Sequence, residues 1–275
     1  MPEGDSIFRA ARTLHRALAG KVVTRFESVL PALTRIDEDA PLAGRTVDEV
    51  SAAGKHLLMR FSGDLVLRTH MRMNGSWHIY RPGERWQRSA SDMRIVVATG
   101  DFVAVAFNVP VAEFLTARTL ARHPDLRQLG PDLLGTAFDV ENATRRIRER
   151  ARDAIADVIL NQRVMAGAGN VYKSEVLFLC RINPFAPVAS LTDTQVAEVV
   201  ETARSLLAAN VGNAATGGIV TYVGMRRTTR RADPAERLWV YGRVGLPCRE
   251  CGTLITRRAQ GPDARLTYWC PRCQP

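Results

Sequence analysis

Four cysteines near the end of the sequence place the strongest constraint on what this chain can fold into. They form two Cys-x2-Cys pairs, Cys248 with Cys251 and Cys270 with Cys273, and an 18-residue insert separates the pairs. This spacing is typical of two metal-binding knuckles that face each other across a hairpin. Two disulfides are the alternative, but the absence of a secretory signal favours a reducing compartment. We therefore expect one structural Zn²⁺ per chain, with four thiolates closing its tetrahedral coordination sphere.

The insert between the cysteine pairs predicts a β-hairpin. Short strands are expected from Thr253 to Arg258 and from Leu266 to Trp269, joined by a Gly-Pro-Asp turn at residues 261–263. The fifth cysteine, Cys180, ends an apolar run and is predicted to be a core residue.

The charge of the chain indicates a polyanionic partner. Its 275 residues include 38 Lys and Arg against 28 Asp and Glu, a formal net charge of +10. Residues 224–275, which carry the cysteine pattern, contribute +7 of this charge. A solvated basic face is the usual explanation of a charge run, but coincidence with a predicted metal site favours contact with nucleic acid. An anionic membrane would suit the charge too, although no apolar run approaches the roughly 20 residues of a spanning helix.

The first half of the chain predicts one helix followed by a β-sandwich. Apolar residues from Ile7 to Leu18 recur at helical spacing, and Gly20 ends the pattern. Short β-rich runs separated by turn residues then continue to about Phe114, as is typical of two packed sheets. The predicted strands are Val22 to Phe26, Arg45 to Ser51, His56 to Phe61, Leu65 to Met71, Trp77 to Tyr80, Arg94 to Thr99 and Phe102 to Phe107.

The second half returns to helical periodicity, so we expect an α+β protein of two domains. The segment from Asp125 to Gly135 contains a Gly-Pro-Asp turn and is predicted to be a linker. Helical patterns follow over Val140 to Ile159, Val171 to Leu179 and Thr192 to Leu207. The expected organisation is a β-sandwich domain over residues 1–124, a linker over 125–138, a helical domain over 139–240 and a zinc hairpin over 241–275.

A turn between two of these helices is a candidate anion site. Residues 161–169 are rich in Gly and Ala, and Asn170 is placed to cap the helix that follows. An ordinary capped helix hairpin explains this pattern. The functional interpretation is that the exposed amides of Val171 and Tyr172 bind a phosphate at the helix N-terminus, with Lys173 adding charge.

Five motifs taken together resemble those of the formamidopyrimidine-DNA glycosylase and endonuclease VIII family of DNA repair enzymes. The resemblance covers essentially the whole chain and includes the helix-two-turns-helix element of the family. Only the cysteine pattern would be persuasive alone, whereas all five in order leave little room for chance. The motifs are Met1-Pro2-Glu3-Gly4-Asp5, Gly54-Lys55-His56, residues 70–75 (His-Met-Arg-Met-Asn-Gly), the turn from Gln162 to Asn170 and the four-cysteine hairpin.

The resemblance implies a catalytic group of Pro2, Glu3 and Lys55. With Met1 removed, the secondary amine of Pro2 would attack C1′ of the deoxyribose, expel the damaged base and leave an iminium link to the sugar. An α-amine has a pKa of roughly 8, so a useful fraction is neutral at pH 7. Glu3 would move protons at the sugar. Elimination of the 3′ and then the 5′ phosphate would complete a β,δ-elimination.

The resemblance also implies the residues that hold DNA. A nucleophile aimed at C1′ requires the nucleotide to leave the base stack, and Met73 is the candidate wedge that fills the gap. Arg72 and Asn74 flank this wedge and could meet the orphaned base. The positions that match phosphate contacts of the family are Lys55, His70, Asn170 and Arg265, with Lys173 beside them.

The branch of the family is indicated by two segments. The opening Pro2-Glu3-Gly4-Asp5 resembles the endonuclease VIII side, which prefers oxidised pyrimidines, and the Arg-x-Phe-Gly element usual in the 8-oxoguanine branch is replaced by Asn-Val-Pro at 108–110. Two alternatives stay open: an 8-oxoguanine-preferring glycosylase with the same chemistry, and a catalytically silent zinc protein that binds damaged DNA. We expect a monomer that acts on double-stranded DNA in the cytoplasm of a bacterium, associated with the nucleoid.

Overall fold

The chain divides into two compact units. The computed structural model describes residues 2–212, 227–229 and 233–275. The first unit contains the described residues up to Arg127, and the second contains those from Gln128 onwards. No helix among the described residues is long and apolar enough to cross a membrane.

The first unit is a β-sandwich preceded by a helix. Helix α1 (Gly4–Leu18) buries the apolar residues that recur along it, and Leu14 and Leu18 have no exposed surface. Two four-stranded antiparallel sheets follow, in the orders β1-β6-β7-β5 and β2-β3-β4-β8, and side chains of both sheets share one core. The strands are β1 (Val23–Ser28), β2 (Val47–Ala53), β3 (His56–Phe61), β4 (Leu65–His70), β5 (Ser76–Tyr80), β6 (Met93–Thr99), β7 (Val103–Phe107) and β8 (Val111–Leu115).

Three short helices also belong to the described part of the first unit. Helix α2 (Pro31–Asp39) starts with a proline at its first turn and buries Leu33. Helices α3 (Ala117–Arg122) and α4 (Pro124–Arg127) lie at its end, after β8. Arg68 of β4 is 2% exposed and donates to Glu113 of β8 and, at 2.7 Å, to Asp125 of α4. A buried guanidinium therefore joins the end of this unit to its sheet.

The second unit is helical and ends in a two-stranded hairpin. Its apolar core includes side chains from each of the four α-helices that the structure describes in this unit, among them Ile159, Tyr172 and Val199. The elements are α5 (Val140–Arg148), α6 (Ile155–Leu160), α7 (Asn170–Leu179), α8 (Asp193–Gly212), β9 (Thr256–Gln260) and β10 (Arg265–Trp269).

The α+β class, the sandwich and the helical second half are confirmed, whereas several element boundaries are wrong. Helix α2 and strand β8 were not expected, and Asp125 belongs to helix α4 and not to a linker. The segment 140–159, predicted as one helix, forms two helices, α5 and α6. Residues 149–154 between them are not helical, and the amide of Ile155 donates to the Ala186 carbonyl. The finger strands β9 and β10 differ from the expected ones by up to three residues at an end.

Candidate active site and metal centre

The start of helix α1 places an acid beside the chain terminus. Pro2 is half-buried and directly precedes Glu3, the N-cap residue of the helix, whose side chain is fully buried. The amide of Glu3 donates to Ser6 Oγ at 3.1 Å, which fixes the first turn. The positive end of the helix dipole favours a carboxylate at this position. The backbone therefore holds the predicted amine and its predicted acid as neighbours.

Lys55 occupies a tight hairpin turn between β2 and β3. The turn contains only Gly54 and Lys55, because Ala53 already pairs with His56. Gly54 has φ of 57°, in the left-handed region that glycine adopts without a steric cost. Lys55 is half-buried at the second position of this turn.

Two histidines lie side by side next to this turn. His56 of β3 pairs directly with His70 of β4, and their ring centroids are 4.8 Å apart in an edge-to-face arrangement. Burial, followed by the charge of Arg68, lowers the pKa of His56 to about 3. Burial, followed by the charges of Arg72 and Lys55, lowers the pKa of His70 to about 4. Both imidazoles are therefore neutral at pH 7.

A backbone hydrogen bond sets the tautomer of His70. The amide of Arg72 donates to His70 Nδ1 at 3.1 Å. A neutral imidazole that accepts at Nδ1 carries its proton on Nε2. His70 can therefore offer a phosphate one neutral N–H donor, and it would do so without adding positive charge.

The loop after β4 projects three exposed side chains. Gly75 closes the loop by donating from its amide to the Met71 carbonyl at 2.9 Å, and a Cβ on Gly75 would lie 2.5 Å from that oxygen. Met71 itself is buried. Arg72, at φ of 49°, and Asn74 are exposed on either side of Met73, which is 53% exposed. An exposed methionine held on a closed loop has the form that an apolar wedge requires.

The turn between α6 and α7 is fixed by one side chain. Gln162 Nε2 donates to the carbonyls of Leu160 and Ala168 at 2.9 Å each, and its Oε1 accepts from the Gly167 amide at 3.0 Å. The expectation that Asn170 caps helix α7 is wrong, because the N-cap residue is Gly169 and Asn170 is the first helical residue. The side chain of Asn170 therefore acts elsewhere.

Helix α7 directs three polar side chains at the finger strand β10. Asn170 Nδ2 donates to the Leu266 carbonyl at 2.9 Å, and the Tyr268 amide donates to Ser174 Oγ at 3.4 Å. Lys173 is 1% exposed, and its Nζ donates to Thr267 Oγ1 at 2.8 Å. The structure thus places Lys173 inside the unit, where it cannot add surface charge beside a phosphate as the sequence predicted. Its ammonium joins the helix to the hairpin.

A fourth side chain of α7, Glu175, holds the approach to the finger. Its buried carboxylate accepts hydrogen bonds from the amides of Trp239, Val240 and Tyr241 at 2.8, 2.9 and 2.8 Å, and from the hydroxyl of Thr228. Burial raises the pKa of Glu175, and these hydrogen bonds oppose that rise. Four donors on one carboxylate make removal of this side chain costly, since each would lose its buried acceptor.

Arg265 lies at the tip side of the finger, at the first position of β10. It is half-buried, and its Nη2 is 3.7 Å from Asp263 Oδ2. Gln260, which pairs with Arg265 across the hairpin, donates from Nε2 to Asp157 Oδ2 of helix α6 at 3.4 Å. The strand end that carries Arg265 therefore lies beside the helical part of the unit.

The four cysteines form one cluster at the base of the finger. Their sulfur atoms all lie within 4.8 Å of one another, with Cys251 Sγ 3.4 Å from Cys270 Sγ and Cys248 Sγ 3.9 Å from Cys273 Sγ. A tetrahedral zinc with Zn–S bonds of about 2.3 Å needs sulfur separations of about 3.8 Å, so these residues fit the metal. Gln274 accepts from the Cys270 amide at 3.0 Å and donates to the Ile182 carbonyl at 2.9 Å, which ties the cluster to the helical part of the unit.

Each unit thus assembles its own group of predicted site residues. Sequence reasoning missed His56 as a site residue, because only the antiparallel pairing of β3 with β4 in the structure brings it opposite His70. Sequence reasoning also missed Glu175. The three amides that donate hydrogen bonds to its carboxylate belong to residues more than 60 positions away, and nothing in the local sequence indicates them.

Family models match the chain along most of its length. The N-terminal domain of formamidopyrimidine-DNA glycosylase matches residues 1–122, its H2TH domain matches 129–221, and a zinc finger found in FPG and IleRS matches 245–275. A protein of Streptomyces coelicolor named probable endonuclease 8 2 is 41% identical over the whole chain and 94% of its own length. The chain belongs to the formamidopyrimidine-DNA glycosylase and endonuclease VIII family.

Other members of this family are similar over their full length. A protein of Mycolicibacterium smegmatis named DNA-(apurinic or apyrimidinic site) lyase Nei2 is 38% identical, covering the whole chain and 99% of the relative. A crystal structure of Lactococcus lactis Fpg with DNA containing an abasic site aligns with a TM-score of 0.83 at 21% identity over all of both chains. The structural match establishes the two-domain Fpg fold. The aligned region includes the four-cysteine segment that matches the zinc finger model.

Proposed function

We propose that this protein is a bifunctional DNA glycosylase and abasic-site lyase of the endonuclease VIII type. It would remove oxidised bases, with pyrimidines favoured, and nick the strand by β,δ-elimination. The observation that carries the proposal is the adjacency of Pro2 and the buried Glu3 at the start of α1, in a chain that belongs to a DNA glycosylase family. Its substrate would be double-stranded DNA in the bacterial cytoplasm, handled by a monomer.

The chemistry begins at the amine of Pro2 once Met1 is removed. The amine lone pair forms the bond to C1′, and the base leaves with the electrons of the glycosidic bond and gains a proton. Glu3 supplies the proton that opens the sugar ring. The resulting iminium withdraws electrons from C2′, so loss of a C2′ proton expels the 3′ phosphate, and a second elimination expels the 5′ phosphate.

The remaining first-unit residues would hold the DNA around the reacting sugar. Lys55 is proposed to attract a phosphate as a cation, whereas His70 would donate its neutral Nε2–H. Met73 would enter the space left by the extruded nucleotide, with Arg72 and Asn74 facing the opposite base. In the second unit, Asn170 and Arg265 would contact phosphates, and Zn²⁺ would hold the finger that carries Arg265.

A preference for oxidised pyrimidines is supported by the short loop between β7 and β8. The loop contains only Asn108, Val109 and Pro110, and Val109 is fully buried. This loop therefore offers few side chains that could contact a damaged base.

Borohydride trapping tests the proposed reaction. Incubation with a duplex that carries an abasic site or thymine glycol should give a covalent adduct, and Pro2→Gly should strongly diminish it, because the amine of glycine lies in a more flexible segment and is less well positioned to attack C1′. Glu3→Gln should retain binding but lose base excision. An adduct that is undiminished in Pro2→Gly would refute the mechanism.

The lesion preference needs its own measurement. Single-turnover excision rates on duplexes with 5-hydroxyuracil and with 8-oxoguanine should favour the pyrimidine by at least about tenfold, which corresponds to about 1.4 kcal/mol of transition-state free energy. Equal or reversed rates would assign the protein to the 8-oxoguanine alternative, and binding without excision of either would assign it to the silent alternative.

A further inference from the structure

A basic cleft in the second unit is lined by none of the predicted site residues. It has a volume of about 350 Å³, roughly that of ten water molecules. Three arginines reach it from separate segments: Arg146 from helix α5, Arg150 from the segment after α5, and Arg163 from the turn after α6. Gln128, Glu149 and Val164 complete its lining.

Hydrogen bonds and backbone contacts hold the walls of the cleft in place. Arg146 Nε donates to Asn142 Oδ1 and its Nη1 donates to the Arg163 carbonyl, both at 2.8 Å, so this guanidinium is fixed in place. On the other side, the Gly130 amide donates to the Gln162 carbonyl at 2.9 Å. A Cβ on Gly130 would lie 2.3 Å from the Val164 carbonyl oxygen, so the two segments are in direct backbone contact.

The charges in the cleft leave it positive. Its single acid, Glu149, is paired at 2.7 Å with Arg145, which does not line the cleft. Arg150 is 4.0 Å from Asp153, the limit of an ion pair, and both groups are exposed. The guanidinium of Arg163 is exposed and has no hydrogen-bond or ion-pair partner among the residues that the structure describes. The exposed pair of Arg150 with Asp153 contributes little at a solvated surface. The guanidinium groups of Arg150 and Arg163 are therefore available to an anion.

We propose that this cleft binds a backbone phosphate of DNA, beyond those assigned to Asn170 and Arg265. The proposal rests on the proposed function and extends it. Arginine presents a planar fork of donors that matches two phosphate oxygens. Arg163 lies in the same turn, residues 161–169, that leads into Asn170, so one continuous segment would contact two phosphates. A free phosphate ion would satisfy the same donors, and the test separates the two sources.

The test measures how salt weakens binding of the full-length zinc protein to a duplex with a tetrahydrofuran abasic analogue, which cannot react. The double variant Arg150→Gln/Arg163→Gln should reduce the magnitude of the slope of log Kd against log salt concentration by about 0.9, the value for one phosphate contact, and Arg163→Gln and Arg150→Gln should each reduce it by part of that amount. At about 0.1 M salt each should weaken binding about three- to tenfold. Single-turnover cleavage of abasic DNA at saturating protein should not change. Arg152→Gln is the matched control, because Arg152 is exposed and adjacent but does not line the cleft.

The outcomes separate the cleft from the proposed function. Slopes for Arg163→Gln and Arg150→Gln that equal the Arg152→Gln slope would overturn the assignment while wild-type protein still binds and cuts abasic DNA. Calorimetry with inorganic phosphate provides the second arm: binding that disappears in Arg163→Gln, together with an unchanged salt slope, would mean that the cleft takes a free anion and not DNA. Wild-type protein that neither binds nor cuts abasic duplex would refute the proposed function and the cleft with it.

Discussion

The two units divide the reactive side chains of the chain between them. All five histidines lie in the first unit, at positions 15, 56, 70, 78 and 123, and all five cysteines lie in the second, at 180, 248, 251, 270 and 273. The first unit fixes its site by burying neutral imidazoles between sheet strands. The second fixes its site with a four-sulfur cluster and a helix whose buried polar groups hold the finger. The two units are therefore expected to lose their structure under different conditions, low pH for the first and loss of metal for the second.

Loss of the metal should have the largest effect, and only on the second unit. Cys270→Ser should lower the zinc content from one equivalent to none. Amide exchange over residues 245–275 should then accelerate more than about a hundredfold, because roughly 10 kcal/mol of metal-binding free energy also stabilises the finger. Elemental analysis and hydrogen-exchange mass spectrometry measure both quantities.

Cys180→Ala is the control for this change. Cys180 is buried in the helical core, away from the four-cysteine cluster, so the variant should keep its zinc. Exchange over residues 4–122 should stay at the wild-type level in both variants. One equivalent of zinc retained by Cys270→Ser would contradict the structural site.

Acid should selectively weaken the first unit. Burial lowers the pKa of His56 to about 3 and of His70 and His78 to about 4, each from 6.5. Between pH 6.5 and 4 the unfolded state therefore binds more protons than the folded state, and folding stability falls as pH falls. Between pH 6 and 5 the free energy of unfolding should fall by about 1 kcal/mol per histidine. Above pH 7.5 these histidines are neutral in both states, so their titration should not change the stability.

Urea titrations followed by hydrogen exchange at pH 6 and pH 5, corrected for intrinsic exchange rates, measure the acid effect in each unit. The second unit contains no histidine, so its exchange serves as the internal comparison as long as zinc stays bound. Equal destabilisation of both units would mean that the buried imidazoles are not the cause.

A smaller effect distinguishes Lys173 from Arg265 within the second unit. Lys173→Met should weaken binding to the abasic analogue about tenfold by loosening the contact with Thr267, yet leave the salt slope unchanged. Arg265→Gln should reduce the slope by about 0.9, because it removes a phosphate contact. A reduced slope of log Kd against log salt concentration in Lys173→Met would mean that Lys173 contacts a phosphate directly.

Local patterns predicted the fold better than they predicted which polar groups face solvent. The cysteine spacing predicted the cluster, and short β-rich runs separated by turn residues predicted seven of the eight sandwich strands. Strand β8 was missed because Pro110 directly precedes it and reads as a strand breaker. Lys173 looked like surface charge in sequence, but its partner Thr267 lies 94 residues away, and only the folded chain brings the two together.

The central claim is that the amine of Pro2 forms the covalent link to DNA, and one measurement tests it directly. The borohydride-trapped complex with abasic DNA is digested with nuclease and protease, and mass spectrometry locates the peptide that carries the sugar remnant. We predict that the remnant sits on the N-terminal peptide, on Pro2, with Met1 absent. A remnant found on Lys55 or on any other lysine, or a trapped protein that retains Met1, would contradict it.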